Sequence, residues 1–553
     1  MGNNTFSNPI IYADVPDMDI IRVGDVYYMA STTMHLSPGC PIMKSMDLVH
    51  WEIVNYVYDI LGTEDAMALR NGASMYGAGQ WAASLQHHNG MYYVAFASNT
   101  TDQTYIYVTD DIENGSWKRT VIDEKYHDLT LFFDDDNGRV YSVYGGGEIK
   151  YAELKPDLSG ALEGGRQGTL FQTDAPGECI TVGENHLGYE GTHVMKKDGY
   201  YYVFNICWPK GKERIEVCHR STTFPGSAWE SRVILDAQFD NNGVSAGVAQ
   251  GGVIDTVDGK WYGFLFQDHG AVGRTPVLTD CTWKDGWPML GKDGDGRTVE
   301  AVMNLPAAES EAKPIIKSDE FDIDDASVSK VASDTDQSTG HPGQDDGKEV
   351  KLDLVWQWNH NPDNDNWSLT ARRGWLRLTT GEKASGILHA RNTLTQRTYG
   401  PTCSGEIKMD VSNMNIGDVA GLAAFSYNYG YLAVTKESSG IRLVMVDASS
   451  NAAKEKDDPQ VIAAADCTGS IVYLKEDFNF AGEADGANKD TVSFYYSYDG
   501  SCWTKLGNTI QLSYELTHFM GSRFALFNYA TKSVGGYVDF DYFRVSDEIT
   551  GES

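Results

Sequence analysis

The chain has 553 residues, 41% hydrophobic and 12% aromatic, which is more than one hydrophobic core accommodates; at least two domains are expected, and disordered or collagen-like classes are excluded. Its 78 acidic residues against 44 basic ones give a formal net charge of −34. Such a surface repels phosphate backbones and anionic lipid, so neither nucleic acid nor a membrane is an expected partner, whereas an uncharged ligand is compatible with it. The start, MGNNTFSNPIIYADVP, has neither a basic nor an apolar leader region, and Phe6 breaks the myristoylation pattern. The chain as given reads as cytoplasmic; a secreted chain stripped of its leader would read the same way. No run approaches the 18 or more apolar residues of a membrane span. The 8 cysteines form no CxxC pair and read as reduced core thiols.

Along the first 300 residues one signature recurs five times: a glycine beside Asp or Asn, followed by an aromatic or β-branched pair. It occurs at Gly24, Gly90, Gly138, Gly199 and Gly259, with spacings of 66, 48, 61 and 60 residues. Asn-Gly and Asp-Gly are strong hairpin signals because both turn residues need positive φ. Four of the units also close on a polar turn and a tryptophan, at Trp51, Trp117, Trp229 and Trp283. Several short strands repeated at this period predict five propeller blades.

The repeat allows the units to be compared in phase. Seven to ten residues before each glycine stand Asp17, Trp81, Asp128, Glu190 and Gln250. In a propeller this is the first strand of each blade, lining the central channel. Three of the five positions are carboxylic acids from distant parts of the chain, and buried carboxylates must be paired, metal-bound or functional. Convergent carboxylates also raise one another's pKa, as acid catalysis requires. Asp14 and Asp19 stay open as alternatives to Asp17, and Glu178 and Glu184 compete with Glu190. His269 has a bland reading as a core histidine, and Trp81 as packing.

After Pro314 the texture changes. Residues 316–350, rich in Asp, Ser and Gly and including Asp345-Asp346-Gly347, read as an acidic linker or long loop. From 351 to 553 the pattern is again that of short strands, without the 60-residue period, which predicts a β-sandwich. The whole is expected to be all-β: a five-bladed β-propeller over 1–315, the linker, and a sandwich.

On these residues the chain resembles glycoside hydrolase family 43. The likeness is carried by Asn8-Pro9-Ile10 with Asp14-Val15-Pro16-Asp17, the Tyr126–Asp136 run, Tyr189-Glu190-Gly191-Thr192-His193, Gly251-Gly252-Val253, and Gly273-Arg274-Thr275-Pro276. Trp356–Pro362 and Trp367-Ser368-Leu369 resemble the concanavalin-like jelly roll appended to the xylosidase and arabinofuranosidase branches. The resemblance implies an inverting, exo-acting glycosidase with Asp17 as general base, Glu190 as general acid and Asp128 orienting the acid. Met18 stands where the family has proline, and Ala82-Ala83 where Ala-Pro is common. Trp81, Arg274, His35 and Phe519 are the implied substrate-binding residues, Phe519 from a sandwich loop that closes the propeller mouth. No cofactor is required by this reading; a Ca²⁺ ion, held at the propeller centre by His269 or in the sandwich, is the ion that the resemblance allows. The implied substrate is a pentose-containing oligosaccharide of plant hemicellulose. Ser31–Gly39 resembles the arabinofuranosidase-rich branch, which favours terminal α-L-arabinofuranosyl release over β-xylosidase or bifunctional action. A non-catalytic sugar-binding propeller is the remote alternative. The related fructan-active group is excluded because its WMNDPNG and RDP signatures are absent. Oligomeric state is left open.

Overall fold

A computed structural model of the chain describes residues 5–550 apart from 174–175, 180, 183–184, 227, 242–243, 308–309, 324–327, 331–343, 346–347, 450–459 and 482–489. Among the described residues all helices are short 3₁₀ turns, so the fold is all-β, and no helix is long and apolar enough to cross a membrane.

Five antiparallel sheets make the propeller. Their inner strands are Asp19–Val23, Gln80–His88, Thr130–Asp134, Glu190–Lys197 and Val244–Asp255. Each inner strand turns into its neighbour at one of the five repeat glycines, all at φ between 64° and 83°, a backbone region that side chains disfavour and glycine does not. The four tryptophans close the blades. Trp51 and Trp229 donate their indole N–H groups to Leu48 and Gly226 carbonyls at 3.0 and 2.9 Å, each just before an outer strand. Trp283 instead lies within the strand Gly273–Lys284. Asn8 fastens the chain start to the last blade, exchanging hydrogen bonds with the Leu278 backbone at 2.8 and 3.0 Å.

Two eight-stranded sheets form the sandwich around one continuous apolar core that includes Trp356, Phe478, Phe524 and Phe540. One sheet ends on a strand from the propeller: Leu36–Ser37 of the first blade pairs with Gln357–Asn359. Propeller and sandwich are therefore joined through a shared sheet. Part of the stretch read as a linker is also packed. Asp319 exchanges backbone hydrogen bonds with Phe543 at 2.7 and 2.8 Å, and Phe321 is buried in the sandwich core. Further on, Val328–Lys330, Gln344–Asp345 and Lys348–Val350 form a small antiparallel sheet, while Asp346 and Gly347 fall outside the described residues. Six of the cysteines are buried, Cys467 is half-buried and Cys502 exposed, so the expectation of core thiols fails for the last of these.

Candidate active site

At the same end of every inner strand the ladder either slips or has not yet begun. In the second, fourth and fifth blades the register slips between Gln80 and Ala83, Glu190 and His193, and Ala249 and Gly252. In the first and third blades Asp17 and Asp128 precede the strand with φ of 51° and 48°. A bulge or a left-handed residue turns a side chain out of the pleat. The five positions in repeat phase thereby share one mouth of the channel.

Asp17 is held from two directions. Arg274 Nη1 donates to its Oδ1 at 2.8 Å, and Gln250 Nε2 donates to the same oxygen at 3.0 Å. No donor among the described residues engages Oδ2. The two competing aspartates are otherwise committed. Asp14 accepts the Arg274 and Gly521 backbone N–H groups, both at 2.8 Å, so it joins the last blade to the sandwich loop that carries Phe519. Asp19 accepts the Leu85 N–H at 2.7 Å and meets His193 Nδ1 at 3.1 Å, bracing three blades across the channel. Arg274 is buried; burial opposes its charge, yet Asp17 and Asp14 hold its pKa above the ordinary value.

On the other side of the mouth Asp128 and Glu190 are neighbours. Their carboxylate oxygens and a nitrogen of His127 all lie within 4.8 Å of one another. His127 stands between them, with Nδ1 3.7 Å from Asp128 Oδ1 and Nε2 3.7 Å from Glu190 Oε2. Burial, reinforced by the charges of Glu190 and Asp17 and opposed by His127, pushes Asp128 up to about 6. The adjacent Asp128 charge, with Glu190 behind it and burial opposing, lifts His127 to about 9. Asp128 Oδ2 accepts the Gly191 N–H at 3.1 Å, which ties it to the backbone next to Glu190. Of the competing acids, Glu178 is exposed and Glu184 lies outside the described residues.

The wall of the mouth is aromatic and comes from both domains. Trp81 stacks on Phe519 with ring centroids 5.3 Å apart and 16° between planes. Arg274 lies over the Phe519 ring at 4.7 Å and bonds its carbonyl at 3.4 Å. Phe519 is half-buried in a small cluster with Met34, Leu36, Met520 and Trp81, so it is not part of the sandwich core. Its φ of 58° marks a constrained loop.

His35 departs from expectation. It has no exposed surface and packs on Tyr76, His360 and His518 with centroids 4.8, 5.0 and 4.7 Å away. The cause is the strand Leu36–Ser37, which leaves the blade to join the sandwich and draws His35 into the domain interface. His269 is buried as well, its Nε2 2.8 Å from the Tyr12 hydroxyl. The side chains at metal-holding spacing among the described residues are His127, Asp128 and Glu190, a set that does not include His269. Sequence reasoning assigned no part to His127 or Gln250. The signals were present, His127 in the run with Asp128 and Gln250 at the fifth phase position, but neither is a carboxylate.

Residues 6–288 match the glycosyl hydrolases family 43, and residues 344–546 match the β-xylosidase C-terminal concanavalin A-like domain. A β-xylosidase of Formosa agariphila is 28% identical over 98% of this chain and 90% of its own length. A non-reducing end α-L-arabinofuranosidase of Bacteroides ovatus is 27% identical over 81% of this chain and 78% of its own. Among solved structures, a bifunctional GH43-CE protein of Bacteroides eggerthii superposes with a TM-score of 0.85 at 44% identity; the match covers 98% of this chain and 64% of that one.

Proposed function

The chain belongs to the glycosyl hydrolases of family 43, and from that premise we propose that it is an exo-acting, inverting α-L-arabinofuranosidase on hemicellulose oligosaccharides. The observation that carries the chemistry is the asymmetry of the mouth. One carboxylate, Asp17, is gripped on a single oxygen by Arg274 and Gln250. Opposite it, two carboxylates crowd one imidazole. The first arrangement suits a base and the second suits a proton donor.

In this reading Asp17 Oδ2 takes a proton from water as that water attacks the anomeric carbon. Glu190 gives its proton to the departing glycosidic oxygen. Asp128 orients Glu190 through Gly191 and its field, and His127, positively charged at neutral pH, balances the carboxylate that Glu190 becomes. Trp81, Arg274 and Phe519 wall the pocket, as exo action on a chain end requires. Phe519 makes the sandwich a part of the pocket, since aromatic faces supply contact area on sugars at low entropic cost.

The preference for arabinofuranose rests on the Ser31–Gly39 segment and on the B. ovatus relative. The second reading, β-xylosidase or bifunctional action, is supported by the F. agariphila relative. Rates on aryl α-L-arabinofuranoside and aryl β-D-xylopyranoside, measured side by side, decide between them. Proton NMR of the first-formed sugar is expected to show inverted anomeric configuration; a retained anomer would rule out single displacement.

A further inference from the structure

Gln250 shares the repeat phase of the carboxylates yet transfers no proton, and its conformation needs a cause. It sits in the bulge between Ala249 and Gly252 with φ of 61°. The next residue has to be glycine, because a Cβ at Gly251 would lie 1.8 Å from the Phe264 carbonyl oxygen. The Gln250 side chain then runs across Gly191, where an added Cβ would meet Gln250 Cγ at 2.7 Å, and reaches Asp17. It thus spans from the fifth blade, over the fourth, to the first.

What holds this backbone is a second acid outside the mouth. Glu216, in the strand Ile215–Ser221 of the fourth blade, has no exposed surface, and its Oε2 accepts the Gln250 N–H at 2.8 Å. Among the described residues its Oε1 has no hydrogen-bond partner. Burial pushes this carboxyl well above its ordinary value, toward the neutral form. A buried carboxylic acid whose one hydrogen bond among the described residues goes to a left-handed residue is a costly way to fill a core.

We propose that Glu216 is a positioning residue for the base: by fixing the Gln250 backbone it sets the side chain that, with Arg274, occupies Asp17 Oδ1 and leaves Oδ2 to take the proton from water. This rests on the assignment of Asp17 proposed above. The acceptor requirement distinguishes it from simple packing. Gln at 216 keeps a neutral carbonyl of the same shape; Met fills the space without an acceptor.

The test is a double-mutant cycle on whichever aryl pentoside the wild type cleaves, with melting temperatures recorded alongside. Glu216→Gln is expected to stay within about twofold of wild type. Glu216→Met and Gln250→Ala are each expected to lower kcat roughly tenfold with KM within about twofold, and the double variant to be no slower than Gln250→Ala alone, since coupled residues are not additive. Losses that multiply, a Glu216→Gln as slow as Glu216→Met, or a Glu216→Met with full kcat would each overturn the proposal. If Glu216→Met does not fold, Glu216→Asn, which withdraws the acceptor by one methylene, takes its place in the cycle. Crystal structures of the wild type and the acceptor-less variant give a reading that needs no turnover. Gln250 is expected to leave its left-handed conformation and release Asp17 in the variant, and an unmoved Gln250 would refute the idea. A wild type inert on both pentosides would defeat the proposed function, while the crystallographic comparison would still decide the role of Glu216.

Discussion

The two ends of the propeller channel are built from the same five inner strands and differ in almost every other respect. At one end the ladder slips in three blades and has not yet begun in the other two, positive φ or a bulge aims Asp17, Trp81, Asp128, Glu190 and Gln250 inward, and the sandwich loop closes over them. Further along, the strands are regular and surround a cavity of about 270 Å³ whose lining includes Asp19, Arg22, His87 and His193. Polar groups there are tied to one another: Asp19 to Leu85 and His193, Arg22 to Asp255 at 2.6 Å. Asp19 at the regular end has both oxygens engaged in contacts that hold blades together, whereas Asp17 at the irregular end keeps an oxygen that no donor among the described residues engages. Backbone strain is tolerated where the surroundings over-determine it and a function uses it, and on that ground substitutions at the two ends should fail differently.

The largest expected effect is on rate without loss of fold. Asp17→Asn and Glu190→Gln should each lower kcat by at least about 10²-fold, the usual contribution of a positioned base or acid, with melting temperatures close to wild type. Near-normal turnover in Asp17→Asn would break the comparison and move the base to Asp14 or Asp19, both of which have their oxygens engaged elsewhere. Next, Phe519→Ala should raise KM about tenfold on a small aryl glycoside, the scale of one lost aromatic contact of about 1.4 kcal/mol. Unchanged KM would return the sandwich to a purely structural part.

At the regular end the expectation reverses. Asp19→Ala leaves the Leu85 N–H without its acceptor and His193 without its partner. Each buried donor so stranded costs about 1–3 kcal/mol, so the melting temperature should fall by several degrees while kcat changes less than in either mouth variant. A rate loss equal to that of Asp17→Asn, with stability intact, would erase the distinction between the two ends. The smallest effect concerns pH. Folding raises His127 to about 9 from an ordinary 6.5, so the stability it contributes is complete below the ordinary value and is lost as pH climbs through about 9. Wild-type melting temperature should therefore drop more between pH 7 and 9.5 than that of His127→Gln; parallel curves would show that the imidazolium adds nothing to the mouth.

Much of the site was legible because the repeat supplies an internal ruler. The hairpin glycines fix strand phase, and phase alone put Asp17, Asp128, Glu190 and Gln250 at one level of the channel. Phase has a resolution of a residue or two, so it left Asp14, Asp17 and Asp19 open; the proposed choice of Asp17 rests on Asp14 being engaged by the last blade and the sandwich loop, and Asp19 by the Leu85 N–H and the His193 ring. His35 was misread because nothing in Ser31–Gly39 signals that two of its residues leave the blade for the neighbouring sheet. Phe321 shows the same limit in the other direction, an apolar residue in an acidic stretch that the sandwich core claims.

The sequence by itself determined the all-β class, the five units, the change of texture after them and the acids to be compared, because turn chemistry and strand periodicity act over a few residues and repeat in register. Tertiary structure alone decided that both donors to Asp17 meet one oxygen, that His127 stands between Asp128 and Glu190, that Glu216 reaches the site from behind, and that a sandwich loop lays Phe519 on Trp81. Those contacts join residues tens to hundreds of positions apart. Their geometry follows from how blades and sheets pack, for which no local pattern in the chain is a proxy.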